Sequence, residues 1–459
     1  MPEPCPLPVA PDRAQRWFWA GAVAVGVVAV AAFSHDLAAE VHFVDESAYL
    51  SQTYFADLFF KGESQNPAWL DYPAYDLPPL PKYMIGLALR GGGFRRPSPW
   101  AARAWYADTS SRFDPPGALV LARWPSVIFG ALGCLAIFGL GTLAGDRRVG
   151  ALAALLVIVN PLYRLHARRA MSDVPAEALI LCSAWGTLWA WRRRLAGNSG
   201  PMPWVVSAVV GVCAGLAALA KLNGALAMII VLAWTLLTLV LPRIAIGRKL
   251  AVMAMAAIAG TGSLITFVAL NPFLTARPRR PLDPPLAMIA KMSVARRMRL
   301  LVEHRMAVSR GQKVLFPNDA LKTPLEKLKV LVVQGFGRFG PFGPRHSDST
   351  RRYDAAQDWG APVWIACVIA GVPWWLSRGK RQVASGEPPT AWAILVKSFA
   401  ALAVVTAYLP LAWDRYFLSI QPGSALLAAG ATVAAADSLI RARPRRGPIP
   451  TAGAPPCKC

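Results

Sequence analysis

The chain alternates between long apolar blocks and short basic segments, a pattern that predicts transmembrane helices. A helix needs about 20 mainly apolar residues to cross a bilayer. The blocks lack the strict alternation that a membrane barrel requires, so helices are favoured over strands. Ten helices are predicted, over residues 16–34, 119–143, 149–164, 174–191, 203–220, 224–241, 250–270, 361–376, 391–411 and 417–439. We therefore predict an all-α polytopic membrane protein.

Clusters of Arg and Lys follow every second predicted helix, beginning with Arg147-Arg148 and Arg192 to Arg194. Short loops rich in Lys and Arg are typical of the cytoplasmic side of a membrane. This pattern predicts that both termini are cytoplasmic. Arg13 and Arg16 precede the first helix, which we interpret as an uncleaved signal anchor.

The predicted topology divides the chain into four parts. A transmembrane core covers residues 1–271 and includes a large first outer loop at 35–117. The other parts are a basic outer loop at 272–360, C-terminal helices at 361–440 and a cytoplasmic tail at 441–459. Within the basic loop, Leu286–Met306 and Leu321–Val333 are amphipathic, and the Gly- and Pro-rich run from Gly335 to Pro344 predicts a turn-rich connector.

Composition narrows the class of protein further. The chain has 459 residues, 55% of them hydrophobic, and a formal net charge of +24. In a polytopic membrane protein such charge is typical of loops beside anionic lipid head groups, so we predict no nucleic-acid partner. The seven cysteines have neither metal-ligand spacing nor the pattern of a disulfide framework. We predict no metal-ligand cluster and no cofactor, and a divalent cation stays an open alternative.

Several basic residues lie on the predicted outer side, although Lys and Arg usually concentrate in cytoplasmic loops. Ionisable groups close to membrane depth are functional candidates. These residues could together surround a phosphate. They are Arg164, Arg168, Arg169, Lys221 and Arg415.

The acidic pair Asp45-Glu46 follows the first helix directly. Two adjacent carboxylates repel each other, which raises the proton affinity of at least one of them. Such a carboxylate can act as a general base toward a hydroxyl, but Asp45 could equally cap a short helix. The surrounding aromatic residues suit either a sugar face or an interfacial belt. They are Phe43, Tyr49, Tyr54, Tyr72 and Tyr75.

Three further outer segments contain candidate binding groups. Lys82 follows a Pro-rich run that can start a helix, so it could bind an anion or extend to the lipid head groups. Asp173 could cap the fourth helix or face Asp45 across a site. In the turn near the last helix, Arg415 could bind an anion and Tyr416 could contact an interface.

These segments together resemble the GT-C superfamily of membrane glycosyltransferases, in the protein O-mannosyltransferase and aminoarabinose-transferase-like (family 39-like) branch. Leu77 stands where the family pattern has His or Lys, and Pro81 stands where it has Gly. The resemblance covers about residues 15–440. The matching motifs are Asp45-Glu46, Leu77 to Tyr83, Arg168 to Asp173, Gly215 to Lys221, and Asp414 to Leu418 with Pro422.

The resemblance implies a GT-C fold of about ten transmembrane helices, with juxtamembrane helices in the first outer loop. It implies inverting transfer of a sugar from a polyprenyl-phosphate carrier to a hydroxyl of a protein, lipid or cell-envelope glycan. The reaction would occur on the periplasmic side of a bacterial inner membrane.

The resemblance also implies a role for each site residue. Asp45 would be the base, and Glu46 and Asp173 would orient substrate or a cation. The phosphate would be bound by Lys82, Arg168, Arg169 and Arg415. The remaining substrate contacts would be Tyr49, Tyr83, Lys221 and Tyr416.

Two other functions are compatible with a polytopic chain. A lipid or sugar transporter would place charges near mid-helix and would contain related halves with broken helices. In this sequence the charges lie at helix ends on one side, and we find no internal repeat. A noncatalytic assembly subunit is the other alternative.

Overall fold

The protein is almost entirely helical in the computed structural model, which describes residues 13–94, 117–242, 244–278, 282–338 and 362–442. Within these ranges, β structure is limited to one bridge between Ala320 and Leu411. The α-helices are α1 Arg13–Ser34, α2 Val44–Ser51, α3 Tyr54–Phe60, α4 Tyr72–Asp76, α5 Pro79–Gly91, α6 Ala118–Ala144, α7 Arg147–Val159, α8 Pro161–Ala167, α9 Asp173–Leu195, α10 Met202–Ala220, α11 Leu226–Val240, α12 Ile246–Ala269, α13 Pro272–Thr275, α14 Pro284–Lys291, α15 Val294–Leu315, α16 Pro324–Val330, α17 Pro362–Ala384, α18 Thr390–Tyr408 and α19 Gln421–Ala442.

The predicted all-α polytopic architecture is confirmed. Seven described helices are long and apolar enough to cross a membrane, and the bent pair α7–α8 gives an eighth. The remaining two predicted spans correspond to α9 and α17, of 23 residues each, both of which have basic residues in the last turn. The parts of the predicted loops and tail at 95–116, 339–361 and 443–459 lie outside the described residues.

The predicted third span is broken in the structure. Its halves, α7 and α8, meet at an angle of 68°. The residue before a proline is disfavoured in the helical conformation, and Asn160, which precedes Pro161, is extended with ψ 120°. The Asn160 side chain then accepts a hydrogen bond from the backbone N–H of Tyr163 and starts α8. This bend directs the following turn, which contains Arg168 and Arg169, back over the bundle.

The first outer loop contains the predicted juxtamembrane helices, α2 to α5. Its aromatic residues form a buried cluster in which Phe55 packs against Trp69 and Phe59 stacks on Tyr83. Phe273 of α13 belongs to the same cluster. The segment after the seventh predicted span therefore packs on the first outer loop.

The predicted amphipathic segments are helical, but their boundaries differ from the prediction. The first is divided into α14 and α15, because Ser293 caps a new helix with a hydrogen bond from the N–H of Arg296. The second continues from α16 into a π-helix at Leu331–Arg338. Gly335, predicted to lie in a turn, belongs to this π-helix. A Cβ atom there would lie 2.5 Å from Cδ1 of Ile420, so a larger residue would require the Ile420 side chain to shift.

Small residues also bring the transmembrane helices close together. At Gly141 of α6, an added Cβ atom would lie 2.6 Å from the Cα atom of Gly150 in α7. Such close backbone approach is a common source of helix association in membranes, where the lipid is as apolar as the side chains. The α6–α7 hairpin is therefore tightly packed at the end away from the site described next.

Candidate active site

The adjacent carboxylates Asp45 and Glu46 point in different directions, because consecutive residues of a helix differ by about 100° around its axis. Glu46 is fully buried. Its two oxygens each accept a 2.9 Å hydrogen bond from the guanidinium of Arg123 in α6. They also accept bonds from the backbone N–H groups of Phe43, at 3.0 Å, and Ala170, at 2.8 Å. Glu46 thus joins α2, α6 and the turn before α9.

Arg123 extends this connection to the segment after α1. Its Nη1 donates at 2.9 Å to the carbonyl oxygens of both Leu37 and Glu40. The resemblance implied that Glu46 orients substrate or a cation. The geometry instead favours a positioning role for Glu46, since the carboxylate has no exposed surface and is fully engaged by the protein.

Asp45 lies on the other side of α2 and remains 35% exposed. Its Oδ2 accepts a hydrogen bond from Nη1 of Arg415, in the 3₁₀-helix Asp414–Ile420. The guanidinium of Arg415 lies near the rings of Trp413 and Tyr416, at 4.7 and 5.7 Å from their centroids. The first outer loop and the turn before α19 therefore meet at an accessible carboxylate.

A second ion pair lies close to this one. Lys221, at the end of α10, donates to Oδ1 of Asp173 at 2.6 Å. The Lys221 ammonium is also 5.6 Å from the centroid of the Tyr416 ring. Arg415 acts electrostatically on Asp173. Asp173, Lys221, Arg415 and Tyr416, which are far apart in the sequence, thus form one cluster with Asp45.

Tyr49, a predicted substrate contact, is buried beside this cluster. Burial raises the pKa of its hydroxyl, on which Ser172, Asp173 and Asp45 also act. The Tyr49 side chain is only 4% exposed. Its phenol therefore remains neutral at ordinary pH and forms part of the wall behind the ion pairs.

The two neighbouring arginines of the predicted phosphate site have different environments. Arg168 donates to the carbonyl oxygen of Asp36 at 2.5 Å and lies 3.5 Å from Oε2 of Glu40. Arg169 packs its guanidinium on the Phe43 ring, 4.4 Å from the centroid. Arg169 is 4% exposed, yet its Nε and Nη1 have no hydrogen-bond partner in the described protein. An unsatisfied buried donor is costly, so Arg169 is the better anion candidate.

Lys82 and Tyr83 lie at the start of α5 but are buried. The Lys82 ammonium donates to the carbonyl oxygen of Pro73 at 2.5 Å and lies 4.7 Å from the centroid of Phe55. Burial holds the pKa of Lys82 well below its ordinary value, and nearby Arg305 acts in the same direction. The Tyr83 hydroxyl donates to the carbonyl oxygen of Leu270 at 3.3 Å. In this structure both residues contact protein groups.

Sequence analysis did not single out four groups at or near the site. Arg123 lies within an apolar helix, and its partner is 77 positions away. His166 and Asp414, both buried, approach to 3.6 Å, and Oδ1 of Asp414 accepts a hydrogen bond from the Arg415 N–H. Arg305 of α15 lines a cleft with Leu77 and Pro78. The only signal for Arg123 was a charge inside a predicted span.

No group of three or more His, Cys, Asp or Glu side chains in the described ranges is arranged to hold a metal ion. The polar atoms of the site instead form ion pairs and hydrogen bonds. The arrangement can therefore bind an anion beside Arg169 and can accept a proton at Asp45.

The fold and the site define a class: a polytopic membrane protein with the GT-C fold and an acidic and basic cluster at one end of its bundle. Residues 71–274 match the family described as dolichyl-phosphate-mannose-protein mannosyltransferase. A search of curated protein sequences gives no match.

Solved structures agree with this class. The oligosaccharyltransferase AglB of Archaeoglobus fulgidus, in complex with an inhibitory peptide and a dolichol-phosphate, superposes with a TM-score of 0.54 at 14% identity, over 93% of this chain and 51% of AglB. ArnT of Cupriavidus metallidurans, bound to undecaprenyl phosphate, gives 0.50 at 15% identity, over 91% of this chain and 59% of ArnT. The chain thus spans between half and two thirds of their lengths. The GT-C fold that the resemblance implied is confirmed.

Proposed function

We propose that the protein is a glycosyltransferase that moves a sugar from a polyprenyl-phosphate carrier to a hydroxyl acceptor at the predicted outer face of a bacterial inner membrane. The observation that carries the proposal is the pairing of a partly exposed carboxylate, Asp45, with the guanidinium of Arg415. The unsatisfied donors of Arg169, which acts electrostatically on the adjacent Asp414, supply a second cationic group. AglB and ArnT were solved with dolichol-phosphate and undecaprenyl phosphate, which supports a donor of this class.

Asp45 is the proposed general base. Its carboxylate accepts the proton of the acceptor hydroxyl while that oxygen attacks the anomeric carbon. The bond from the anomeric carbon to the phosphate oxygen breaks, the carrier leaves as polyprenyl phosphate, and the configuration at the sugar inverts. The ion pair with Arg415 holds the Asp45 carboxylate in place until the substrates bind. Rotation of Arg415 toward the leaving phosphate then frees Asp45 to take the proton.

The phosphate is stabilised mainly by Arg169 and Arg415 in this proposal. Fixed donors directed at a developing negative charge are often the largest contribution to catalysis. Arg169 already has two donor atoms without partners, so binding a phosphate there breaks no protein hydrogen bond. Arg168 instead holds the segment around Glu40. Arg305 adds positive charge on the side of the cleft lined by Leu77, whereas the buried Lys82 amine is engaged by the Pro73 carbonyl oxygen.

Lys221, Asp173 and Tyr416 complete the proposed substrate site. The ring of Tyr416, whose centroid is 5.6 Å from the Lys221 ammonium and 5.7 Å from the Arg415 guanidinium, offers an aromatic contact for a sugar in this proposal. Asp173 holds the Lys221 ammonium beside the same ring. Together these residues orient the donor sugar relative to the acceptor.

The experiment that tests the proposal compares D45N with the wild type in proteoliposomes. Polyprenyl-phosphate sugars would be supplied as donors, and released polyprenyl phosphate would be measured by mass spectrometry. We expect a loss of turnover by a factor of roughly 10²–10⁴, because the general base is absent. E63Q, which alters an exposed carboxylate of the same loop, is the matched control and should retain turnover.

Full transfer by a folded D45N protein would rule out Asp45 as the base. Transport of the sugar-lipid across the bilayer without release of polyprenyl phosphate would identify a transporter instead. Mass spectrometry of the envelope glycans lost when the gene is deleted would then name the sugar and the acceptor.

A further inference from the structure

The basic outer loop reaches the candidate active site through the short segment between α15 and α16. The backbone N–H of Leu321 donates to the carbonyl oxygen of Pro410 at 3.1 Å. The carbonyl oxygen of Asp319 accepts a hydrogen bond from the Ala412 N–H at 2.9 Å. These two bonds flank the antiparallel bridge described above. The backbone alone thus fixes this segment of the loop to the turn that follows α18.

The Asp319 side chain makes a further contact that the mechanism above does not use. Asp319 is 7% exposed, and its Oδ2 accepts a hydrogen bond from the indole Nε1 of Trp413 at 3.2 Å. The Phe316 ring packs nearly perpendicular to the same indole, with 5.0 Å between the ring centroids. A hydrogen bond to a carboxylate is stronger than one between neutral groups. Two residues of the outer loop therefore fix the plane of the Trp413 ring.

The Trp413 ring in turn contacts the guanidinium of Arg415, whose central carbon lies 4.7 Å from the ring centroid. An aromatic face attracts a cation, and the indole of tryptophan does so most strongly. The same guanidinium donates a hydrogen bond to Asp45. A continuous path of direct contacts thus runs from Asp319 through Trp413 to the ion pair of the candidate active site.

We propose that Asp319 is a positioning residue for Arg415, acting through the indole of Trp413. The hydrogen bond orients the indole, and the indole face holds the guanidinium beside Asp45 and guides it toward the leaving phosphate. The Asp319 side chain is not needed to attach the loop, because the backbone hydrogen bonds already do so. The effect on sugar transfer rests on the proposed function, whereas the contact between Asp319 and Trp413 does not.

Replacements of the Asp319 side chain test the positioning role in the proteoliposome assay. D319L cannot accept the indole hydrogen bond and should lower kcat roughly tenfold, which is less than the usual loss on removing a catalytic donor. KM for the sugar donor should change little, because Arg415 acts on charge that develops in the transition state. D319N keeps an oxygen acceptor and should retain most of the kcat. The matched control N318L changes the exposed neighbouring residue and should keep the wild-type kcat.

Two variant backgrounds show whether the effect of Asp319 passes through Trp413 and Arg415. W413F keeps an aromatic face but has no N–H, so adding D319L to it should lower kcat no further. R415K has a compact ammonium that does not stack on the indole as a planar guanidinium does, so D319L should have little further effect there either. Additive losses in either background would overturn the proposal. An unchanged kcat in D319L, or equal losses in D319N and D319L, would also overturn it.

Thermal unfolding of the full chain in detergent tests the contact independently of activity. D319L and W413F should each lower the unfolding temperature, and the double variant should lower it by less than the sum, because both replacements remove the same hydrogen bond. Strictly additive shifts would overturn the contact. If the wild type transfers no sugar from any polyprenyl-phosphate donor, the proposed function fails, and the unfolding cycle still decides the contact between Asp319 and Trp413.

Discussion

At the scale of single residues, the neighbours Arg168 and Arg169 are chemically identical but differ in what they contact. Arg168 is engaged with the Asp36 carbonyl and with Glu40 and leaves only its Nε without a partner, whereas Arg169 leaves two buried donor atoms, Nε and Nη1. A guanidinium that is already paired contributes to structure, and one that is unpaired can bind a ligand.

This contrast predicts different outcomes for R169Q and R168Q. R169Q should lower donor turnover by a factor of about 10²–10³, the usual effect of removing one stabilising donor, with little change in thermal stability. R168Q should mainly lower the unfolding temperature. Both would be measured as release of polyprenyl phosphate and as thermal unfolding of the purified variants. Similar effects of the two substitutions on turnover would contradict the separation of roles.

The residue scale also shows what the sequence can reveal about a site. Asp45, Asp173, Lys221 and Arg415 were identifiable because each lies at a helix end among polar residues, where charge is informative. The structure places them together. Arg123 could not be assigned a partner, because a buried charge in an apolar helix does not reveal which distant segment it binds.

At the scale of helices, apolar block length predicted most of the boundaries, since hydrocarbon thickness fixes how many apolar residues a span needs. The predicted 119–143 and 203–220 correspond to Ala118–Ala144 and Met202–Ala220. The bend between α7 and α8 was not predicted, because the apolar run continues through Asn160-Pro161. A hydropathy profile does not detect a change in the direction of a helix.

The bend provides a test with an internal control. Asn160 caps α8 on the site side, and Asp146 caps α7 at the opposite end. Both N160A and D146A should cost about 1 kcal/mol of stability, the usual value for a helix cap. Only N160A should also reduce donor turnover, because α8 leads directly to Arg168 and Arg169. If D146A reduced turnover as much as N160A, the loss of stability alone would explain the reduced turnover of both variants.

At the scale of the whole molecule, the site residues collect at one end of the bundle, and the tight Gly141–Gly150 contact lies at the other. The charge pattern predicts that the site end is outside the cell. The proposed function needs this orientation, because the sugar would be added outside the cytoplasm.

Cysteine labelling tests the orientation. In a variant whose native cysteines are replaced, a membrane-impermeant maleimide added to intact spheroplasts should label E63C and should not label N198C. Residue 63 lies in the first outer loop, and residue 198 follows the basic last turn of α9. After the membrane is permeabilised, both should react. The reverse pattern would invert the topology and remove the extracytoplasmic assignment.

Asp45 and Glu46 contact different groups, and this difference limits how the acidic pair can vary. The two carboxylates have the same charge, so their exchange would leave composition and net charge unchanged. The shorter side chain at position 46 would nevertheless lack the reach to span Arg123 and Ala170 together, and the longer one at 45 would displace the Arg415 guanidinium. The order of the two acids is therefore a chemical requirement: the carboxylate at the first position is partly exposed beside Arg415, and the carboxylate at the second is buried among scaffold groups.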